Sequence, residues 1–171
     1  MNPEQAKAAA DLVAATWEGE SKATAQVIGA VGNGNRDYKP DPKSRSAWEL
    51  ATHIATADVW FLDSIINGAF VFDQEAAKKA EGQFKTADDI VGFYRKTLPE
   101  KLNAVRALPA EKLAEPLDFF GMMKMPRANF VAMANNHSIH HRGQLAGYLR
   151  AMGSKVPNIY GPSADAEPAT T

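Results

Sequence analysis

The amino-acid sequence predicts an all-α protein, a four-helix bundle with long connections and an extended C-terminal tail. Four long segments carry apolar residues at intervals of three and four, as amphipathic helices do. No segment alternates apolar and polar residues over a strand's length, and no internal repeat is present. The 171 residues suit one domain of ordinary size, so we expect a single helical domain over residues 1–171.

The first predicted helix runs from about Pro3 to Val31. A proline suits the first helical turn, and the run Gly32-Asn33-Gly34-Asn35 ends the apolar pattern. The loop that follows contains Pro40 and Pro42, which disfavour helix.

The second predicted helix begins near Ser44 or Ser46 and ends at about Asn67-Gly68. Glu49 stands three residues after Ser46, as a capping box requires, and glycine is the preferred residue just beyond a helix end. Apolar residues cover more than half of the circumference, which predicts the most buried helix of the four. A long linker follows, with a short helical turn expected at Gln74 to Ala80.

The third predicted helix starts at the capping pattern Thr86-Ala87-Asp88-Asp89. Pro99 lies within it, so we expect a kink or a break into two segments. The linker from about Pro109 to Lys124 is expected to be irregular. The fourth helix begins at Pro126 and ends near Met152-Gly153.

The tail, about residues 154–171, contains three prolines and has no helical period. Its segment Val156-Pro157-Asn158-Ile159-Tyr160-Gly161 has enough apolar residues to pack on the helices. The last few residues are expected to be disordered.

Composition limits the classes of function. The net charge is −1 and no run of lysine or arginine stands out, which argues against nucleic-acid binding. There is no cysteine, which excludes disulfides, thiolate ligands and a cysteine nucleophile. Neither a signal peptide nor a membrane-spanning segment is recognisable, so the expected location is the cytoplasm, without membrane association.

Three of the four histidines lie within five residues, and they are the most informative feature of the sequence. His137 and His141 are four apart, which on a helix places both imidazoles on one face. A helical wheel puts them inside the apolar arc with Gln144, puts His140 at its edge, and puts Arg142 well away from it. We expect Arg142 to pair with a carboxylate on another helix or subunit. Two inward imidazoles favour a metal over structural burial, because burying both without partners is costly.

His53 lies on the second helix, at the margin of its apolar face. It could complete a three-histidine site with His137 and His141, or it could bond a backbone carbonyl instead. Gln144 and His140 are candidates for the surroundings of such a site, Gln144 as an amide that orients a ligand or as an ordinary buried amide. The sequence identifies no catalytic residue.

The residue types narrow the class of metal site. A di-iron bundle site needs glutamates beside its histidines, and the fourth helix has no carboxylate from Pro126 to Met152. Histidines four apart on one helix cannot ligate opposite sides of a haem iron. A zincin motif would need glutamate in place of Ser138. What remains is one divalent ion per chain, held by neutral imidazoles, with zinc, nickel and iron as candidates.

Three segments resemble the DinB/YfiT-like metalloprotein family. The second-helix stretch Trp48 to Phe61, with sequence WELATHIATADVWF, resembles that family's second helix. The run Asn136 to Gln144, NHSIHHRGQ, resembles its fourth-helix signature, and Val156 to Ser163 resembles its C-terminal segment. The match spans nearly the whole chain in helix order.

The resemblance implies helices ordered up-down-down-up and a divalent metal on His53, His137 and His141, often in a homodimer. Members of that family include thiol-dependent transferases that use bacterial thiols such as bacillithiol or mycothiol, and a mycothiol-dependent maleylpyruvate isomerase. The family name refers to damage-inducible expression and does not imply DNA binding. We therefore expect a metal-dependent transferase or hydrolase acting on a small molecule, with a low-molecular-weight thiol as a possible co-substrate. The alternative is a non-catalytic protein of a stress response that binds a metal or small ligand.

Overall fold

The computed structural model describes residues 1–165, and six α-helices account for most of them. The helices are α1 (Pro3–Ala30), α2 (Ala47–Asn67), α3 (Gln74–Glu81), α4 (Ala87–Arg106), α5 (Ala110–Ala114) and α6 (Arg127–Ala151). A 3-10 turn, Val31–Asn33, follows α1, and strands β1 (Pro116–Phe119) and β2 (Met123–Pro126) form an antiparallel hairpin. The predicted all-α class is confirmed, with this small hairpin as an addition.

The ends of the long helices follow the predicted capping chemistry. The Ser46 side chain accepts a hydrogen bond from the Glu49 backbone N–H, while the Glu49 carboxylate accepts one from the Ser46 backbone N–H. This reciprocal pair satisfies two amides that lack partners in a helix's first turn. Gly68 ends α2 at φ 82°, a left-handed conformation that glycine adopts without steric cost.

The four long helices form the bundle, and contacts at their ends give their directions. Lys7, in the first turns of α1, donates a hydrogen bond to the backbone carbonyl of Arg106, the last residue of α4, so α1 and α4 run antiparallel. Ser154, just after α6, donates to the carbonyl of Ala30 at the end of α1, so α1 and α6 run parallel.

Helix α2 also packs against α4 and α6, on the diagonal from α1. Arg127, the first residue of α6, donates to the carbonyl of Ile65 near the end of α2, so these two helices run antiparallel. Lys101 lies 2.6 Å from the Asp63 carboxylate, and both residues are near the ends of their helices, so α2 and α4 run parallel. The order is therefore up-down-down-up, as the family resemblance implies.

All four long helices contribute to one apolar core. Its largest fully buried apolar side chains include Trp17 from α1, Leu50 and Ile54 from α2, and Phe130 from α6. Twelve of the 21 residues of α2 are buried, which confirms that it is the most buried helix. Removal of this apolar surface from water is the main stabilising contribution to such a bundle.

Two local expectations need correction. A kink or a break was expected at Pro99; helix α4 runs through Pro99 without a break, and the kink stays a prediction. A proline inside a helix costs about 3 kcal/mol, and burial of Leu98 and Leu102 on either side of it offsets that cost. The linker expected to be irregular contains α5, β1 and the start of β2. The two strands have four residues each, too few to give a clear alternating pattern in the sequence.

The tail packs on the bundle as far as the structure describes it. Val156 and Ile159 are half-buried against the core, as expected for this segment. The expected disorder of the last residues falls on residues 166–171, which lie outside the described part of the chain. Among residues 1–165, no helix is long and apolar enough to cross a membrane.

Arg142 joins α6, α1 and the tail. Its side chain is 2% exposed, and its guanidinium lies 2.6 Å from the Glu20 carboxylate on α1. The guanidinium also donates to the Tyr160 hydroxyl at 2.6 Å, and that hydroxyl donates to Glu20 at 2.8 Å. The expected pairing of Arg142 with a carboxylate on another helix is confirmed.

Arg142→Ala is expected to lower the free energy of unfolding by about 3 kcal/mol, because it leaves the Glu20 carboxylate, 18% exposed, without its charged partner. Arg150→Ala is the matched control. Arg150 pairs with Asp165 but is 57% exposed, so its loss should cost less than about 1 kcal/mol. Urea denaturation measures both values, and equal losses in the two variants would contradict this assignment.

Candidate metal centre

His53, His137 and His141 lie together and could hold a metal ion. One nitrogen from each ring lies within 4.8 Å of a nitrogen of the others. The ring centroids are 5.3 Å apart for His53 and His137, 5.0 Å for His53 and His141, and 4.4 Å for His137 and His141. The rings are inclined to one another by 67° to 85°, so they converge edge-on and do not stack.

The antiparallel packing of α2 and α6 creates this cluster. His53 is in the first half of α2, and His137 and His141 are one turn apart near the middle of α6. The structure thus brings together the three histidines singled out from the sequence. His140 is exposed and lies outside the group of convergent nitrogens, with its ring 5.0 Å from that of His141.

The wheel predicted that the histidines point into the middle of the core, and they do not. The buried face of α6 is centred about 90° away from His137, on Ser138, Arg142, Leu145 and Leu149. Gln144 is exposed and Arg142 is buried, the reverse of what the wheel predicted. The wheel failed because polar side chains occupy the face that packs between α1 and α2, so apolar residues alone do not mark it. The histidines lie half-buried at the margin of that face.

In two of the three imidazoles, Nδ1 lies beside a side-chain oxygen that could accept a hydrogen bond. His141 Nδ1 lies 3.1 Å from the Gln144 side-chain oxygen, and the Gln144 amide donates to the Tyr148 hydroxyl at 3.0 Å. His53 Nδ1 lies 3.4 Å from the Glu81 carboxylate of α3. If Nδ1–H donates in each case, the lone pair remains on Nε2, as is usual for a metal-binding histidine.

The surroundings keep the imidazoles neutral. Burial, followed by the charge of Arg45, lowers the pKa of His53 to about 3. Burial, followed by the neighbouring histidines, lowers the pKa of His137 to about 4, and burial also lowers the pKa of His141. At pH 7 the 3.4 Å contact between His53 and Glu81 therefore involves a neutral ring and is not an ion pair. Burial raises the pKa of Glu81, and the Arg45 charge opposes that effect.

The residues present fit a divalent cation. Three neutral imidazoles offer free lone pairs, and within the described residues the buried His137 Nδ1 has no hydrogen-bonding partner. Nitrogens that share a tetrahedral zinc are about 3.4 Å apart, so binding would need only small movements of these side chains. His53 and His137 also face an open cleft of about 760 Å³, which leaves space for a further ligand.

A buried carboxylate supports the two helices that carry the histidines. Asp58 on α2 is fully buried and accepts hydrogen bonds from Ser138 at 2.7 Å and from Tyr94 at 3.1 Å. Both bonds reach the same oxygen, and the other oxygen has no partner among residues 1–165. Burial raises the pKa of Asp58 to about 7, although both hydrogen bonds act in the opposite direction.

Sequence reasoning missed Glu81, Arg45 and Asp58. Glu81 ends a short polar helix with no buried residue, and nothing in the sequence indicates that this helix folds back on His53. Arg45 lies in the loop before α2, without a motif around it. Asp58 had a detectable signal, because an acidic residue on the most apolar helix is unusual unless it has a partner.

Asp58→Asn should change the dependence of stability on pH. Between about pH 4 and pH 7 folded Asp58 holds a proton that the unfolded chain has released, so this group's contribution to stability falls as pH rises through that range. Relative to wild type, the variant should gain up to about 4 kcal/mol over this interval and stay level above it. Urea denaturation from pH 4 to pH 9 measures the difference, in which the histidine contributions cancel.

Ser138→Ala provides the companion variant, because the Ser138 hydroxyl stabilises the ionised carboxylate. Its removal should move the upper end of the interval to higher pH. A stability difference between Asp58→Asn and wild type that does not vary with pH would contradict the assignment.

Sequence comparison identifies relatives over most of the chain. The DinB family profile matches residues 4–169. The protein YjoA of Bacillus subtilis (strain 168) is 32% identical over 134 residues, covering 76% of this chain and 82% of YjoA. YrdA of the same organism is 23% identical over 155 residues, covering 88% of this chain and 87% of YrdA.

Solved structures have the same fold. The DinB-like protein YjoA from Bacillus subtilis superposes with a TM-score of 0.67 and 24% identity, covering 89% of this chain and 99% of that one. A DinB-like protein from Bacillus cereus superposes with a TM-score of 0.69 and 25% identity, covering 86% and 95% of the two chains. The profile match over nearly the whole chain and the shared fold lead to one conclusion: this chain belongs to the DinB family.

Proposed function

We propose that this protein is a metal-dependent enzyme, a transferase or hydrolase that acts on a small molecule at His53, His137 and His141. The observation that carries the proposal is the position of the three histidines. Their nitrogens converge within 4.8 Å, and two of the rings form part of the wall of an open cleft. Three protein ligands with an open position are typical of catalytic zinc sites, whereas structural sites are closed by four.

The chain's own residues hold and orient the site. With Nδ1–H as donor, the outer nitrogens of His53 and His141 would face acceptors on Glu81 and Gln144, at 3.4 and 3.1 Å, which would fix each ring and direct Nε2 inward. Asp58 ties α2 to α6 through Ser138, the residue next to His137. The aromatic wall of the cleft, including Trp60 and Phe61, limits the access of water to the reacting groups.

A divalent ion on three neutral imidazoles keeps its full double charge, so it would lower the pKa of a bound water or thiol and supply a nucleophile at neutral pH. The chain contains no cysteine. A thiol nucleophile must therefore come from outside, as a co-substrate.

Charged groups in the cleft favour an enzyme over a passive binding protein. Glu81 and Arg45 line the cleft and lie 3.6 Å apart, with Glu81 beside His53. Asp63, Asp73 and Lys78 also line the cleft. Glu81 is the less exposed member of its pair at 26%, and a pocket for an apolar ligand alone would have no need of a partly buried carboxylate there.

His53→Ala, His137→Ala and His141→Ala should each abolish stoichiometric metal binding, since two imidazoles alone hold a divalent ion weakly. Untagged protein is reconstituted separately with zinc, nickel and ferrous iron, dialysed, and measured by inductively coupled plasma mass spectrometry. Wild-type protein should retain about one ion per chain.

His140→Ala is the matched control, because His140 is adjacent to His141 but lies outside the convergent group. It should retain the same metal content as wild type. Full metal content in His137→Ala, or an equal loss in His140→Ala and His141→Ala, would contradict the proposed ligand set.

A thiol should reach the ion in cobalt-substituted protein. Adding 2-mercaptoethanol is expected to produce a sulfur-to-cobalt charge-transfer band in the near ultraviolet, because a coordinated thiol is deprotonated. His141→Ala should abolish the band and His140→Ala should retain it. If no thiol changes the spectrum of cobalt-loaded wild-type protein, the thiol-transferase reaction is excluded in favour of hydrolysis or ligand binding.

A further inference from the structure

The cleft beside the histidines extends well beyond what metal binding requires. Its volume, about 760 Å³, lies within the range of small-molecule sites, about 300 to 1,000 Å³. His53 and His137 lie on its wall. The rest of the lining comes mainly from α2, α3, the loop between them and the tip of the β-hairpin.

Aromatic side chains run in an unbroken series from the histidines to the mouth of this cleft. Phe61 lies 5.1 Å from His137 between ring centroids, and Trp60 lies 4.8 Å from Phe61. From Trp60 the series continues to Phe72, at 6.0 Å, and to Phe120, at 6.5 Å with its ring parallel to within 1°. Flat ring faces and edges of this kind favour contact with another flat apolar group.

The mouth of the cleft exposes apolar side chains from two separate segments. Val71 and Phe72, in the loop after α2, are 72% and 59% exposed. Phe120 and Met122, at the hairpin tip, are 48% and 69% exposed. We call these four residues the apolar lips. A concentration of exposed apolar groups around one concave site is typical of a ligand site.

Hydrogen bonds to the backbone hold both segments of the apolar lips in place. In the loop after α2, the Trp60 indole N–H donates to the carbonyl of Val71 at 2.8 Å, which fixes this loop over the tryptophan. At the hairpin tip, the Met122 N–H donates to the carbonyl of Phe119, and the Asp118 carboxylate accepts from the Gly121 N–H.

Phe120 occupies a backbone position that disfavours it. Its φ is +55°, and among residues 1–165 it is the one non-glycine residue with positive φ. Asn, Asp or Gly usually occupies such a turn position, because a bulky side chain is strained there. The Phe120 ring is also half exposed, so core packing does not explain its presence.

We propose that the apolar lips and Trp60 bind a flat apolar group, such as an aryl ring, of a substrate whose reactive end lies at the histidines. This inference rests on the proposed function for the identity of the reacting end. The apolar subsite itself involves only Trp60 and the lips. The strain at Phe120 is then the cost of presenting an aromatic ring to the ligand.

The test uses probes of matched chemistry. In cobalt-substituted protein, 2-naphthylmethanethiol should bind at least about tenfold more tightly than ethanethiol, because both are alkyl thiols of similar acidity and only the naphthyl group adds apolar surface to bury. Phe72→Ser and Phe120→Asn should each remove most of that preference without changing cobalt content or ethanethiol affinity. Leu12→Asn is the control, since Leu12 is a 69% exposed apolar residue on α1, outside the cleft.

The variant Phe120→Asn distinguishes a loss of ligand contacts from a loss of folded stability. Asparagine tolerates positive φ, so this variant should melt at the same temperature as wild type or higher while it loses the naphthyl preference. If Phe72→Ser and Phe120→Asn both keep the full preference, the apolar subsite is wrong.

A second arm separates this inference from the proposed function. Calorimetric titration of metal-free protein with 2-naphthol should show binding that Phe72→Ser and Phe120→Asn weaken. If this holds while wild type takes up no metal, the subsite stands and the proposed function falls. If the lips instead join two copies of the chain, both variants would dissociate a dimer in sedimentation equilibrium and 2-naphthol would not bind, which would overturn the subsite.

Discussion

The antiparallel contact between α2 and α6 is the constraint on which the candidate site depends. His53 comes from one helix and His137 and His141 from the other, so a shift of one helix by a single turn, about 5.4 Å, would separate them. The contact is fixed at the end of α2 by hydrogen bonds from Arg127 to backbone carbonyls, and near its middle by the bond from Ser138 to Asp58. Apolar packing supplies most of the stability, and these directional bonds fix the register.

Burial shifts the pKa values along this contact in opposite directions. It lowers the pKa of His53 and His137, so their lone pairs are free at neutral pH. It raises the pKa of Asp58, which favours the protonated acid. Neutral imidazoles avoid the large cost of an unpaired buried charge. They are also well suited to bind a divalent cation. Glu81 and Arg45 at the margin offset each other's charge.

Much of the fold could be predicted from the sequence, because its signals are local. The capping boxes at Ser46 and Thr86 and the glycine at position 68 locate helix ends through contacts within a few residues. The pairing of His137 with His141 follows from helical geometry alone. Which residues meet across helices is a different matter, because it depends on the packing of distant segments. The family resemblance, not periodicity, joined His53 to the other two histidines and implied the up-down-down-up order.

The predictions that failed were those that depend on contacts between distant segments or on residues without a local signal. Arg142 and Gln144 were assigned to the wrong faces because the buried face of α6 includes the ion pair of Arg142 with Glu20, so a polar residue there did not indicate burial. The hairpin was missed because its strands are too short to show alternation and because Phe120 stands where a turn residue would normally lie. Glu81 was missed because α3 is polar and short.

Anomalous diffraction from zinc-soaked crystals, recorded on both sides of the zinc absorption edge, would show directly whether the three histidines share an ion. We expect one strong peak per chain, about 2.0 to 2.1 Å from a single nitrogen of each of His53, His137 and His141. Glu81 and Gln144 should contact the outer nitrogens of their histidines in that structure. A peak bound by only two of these histidines, or a peak that includes His140, would rule out the proposed ligand set.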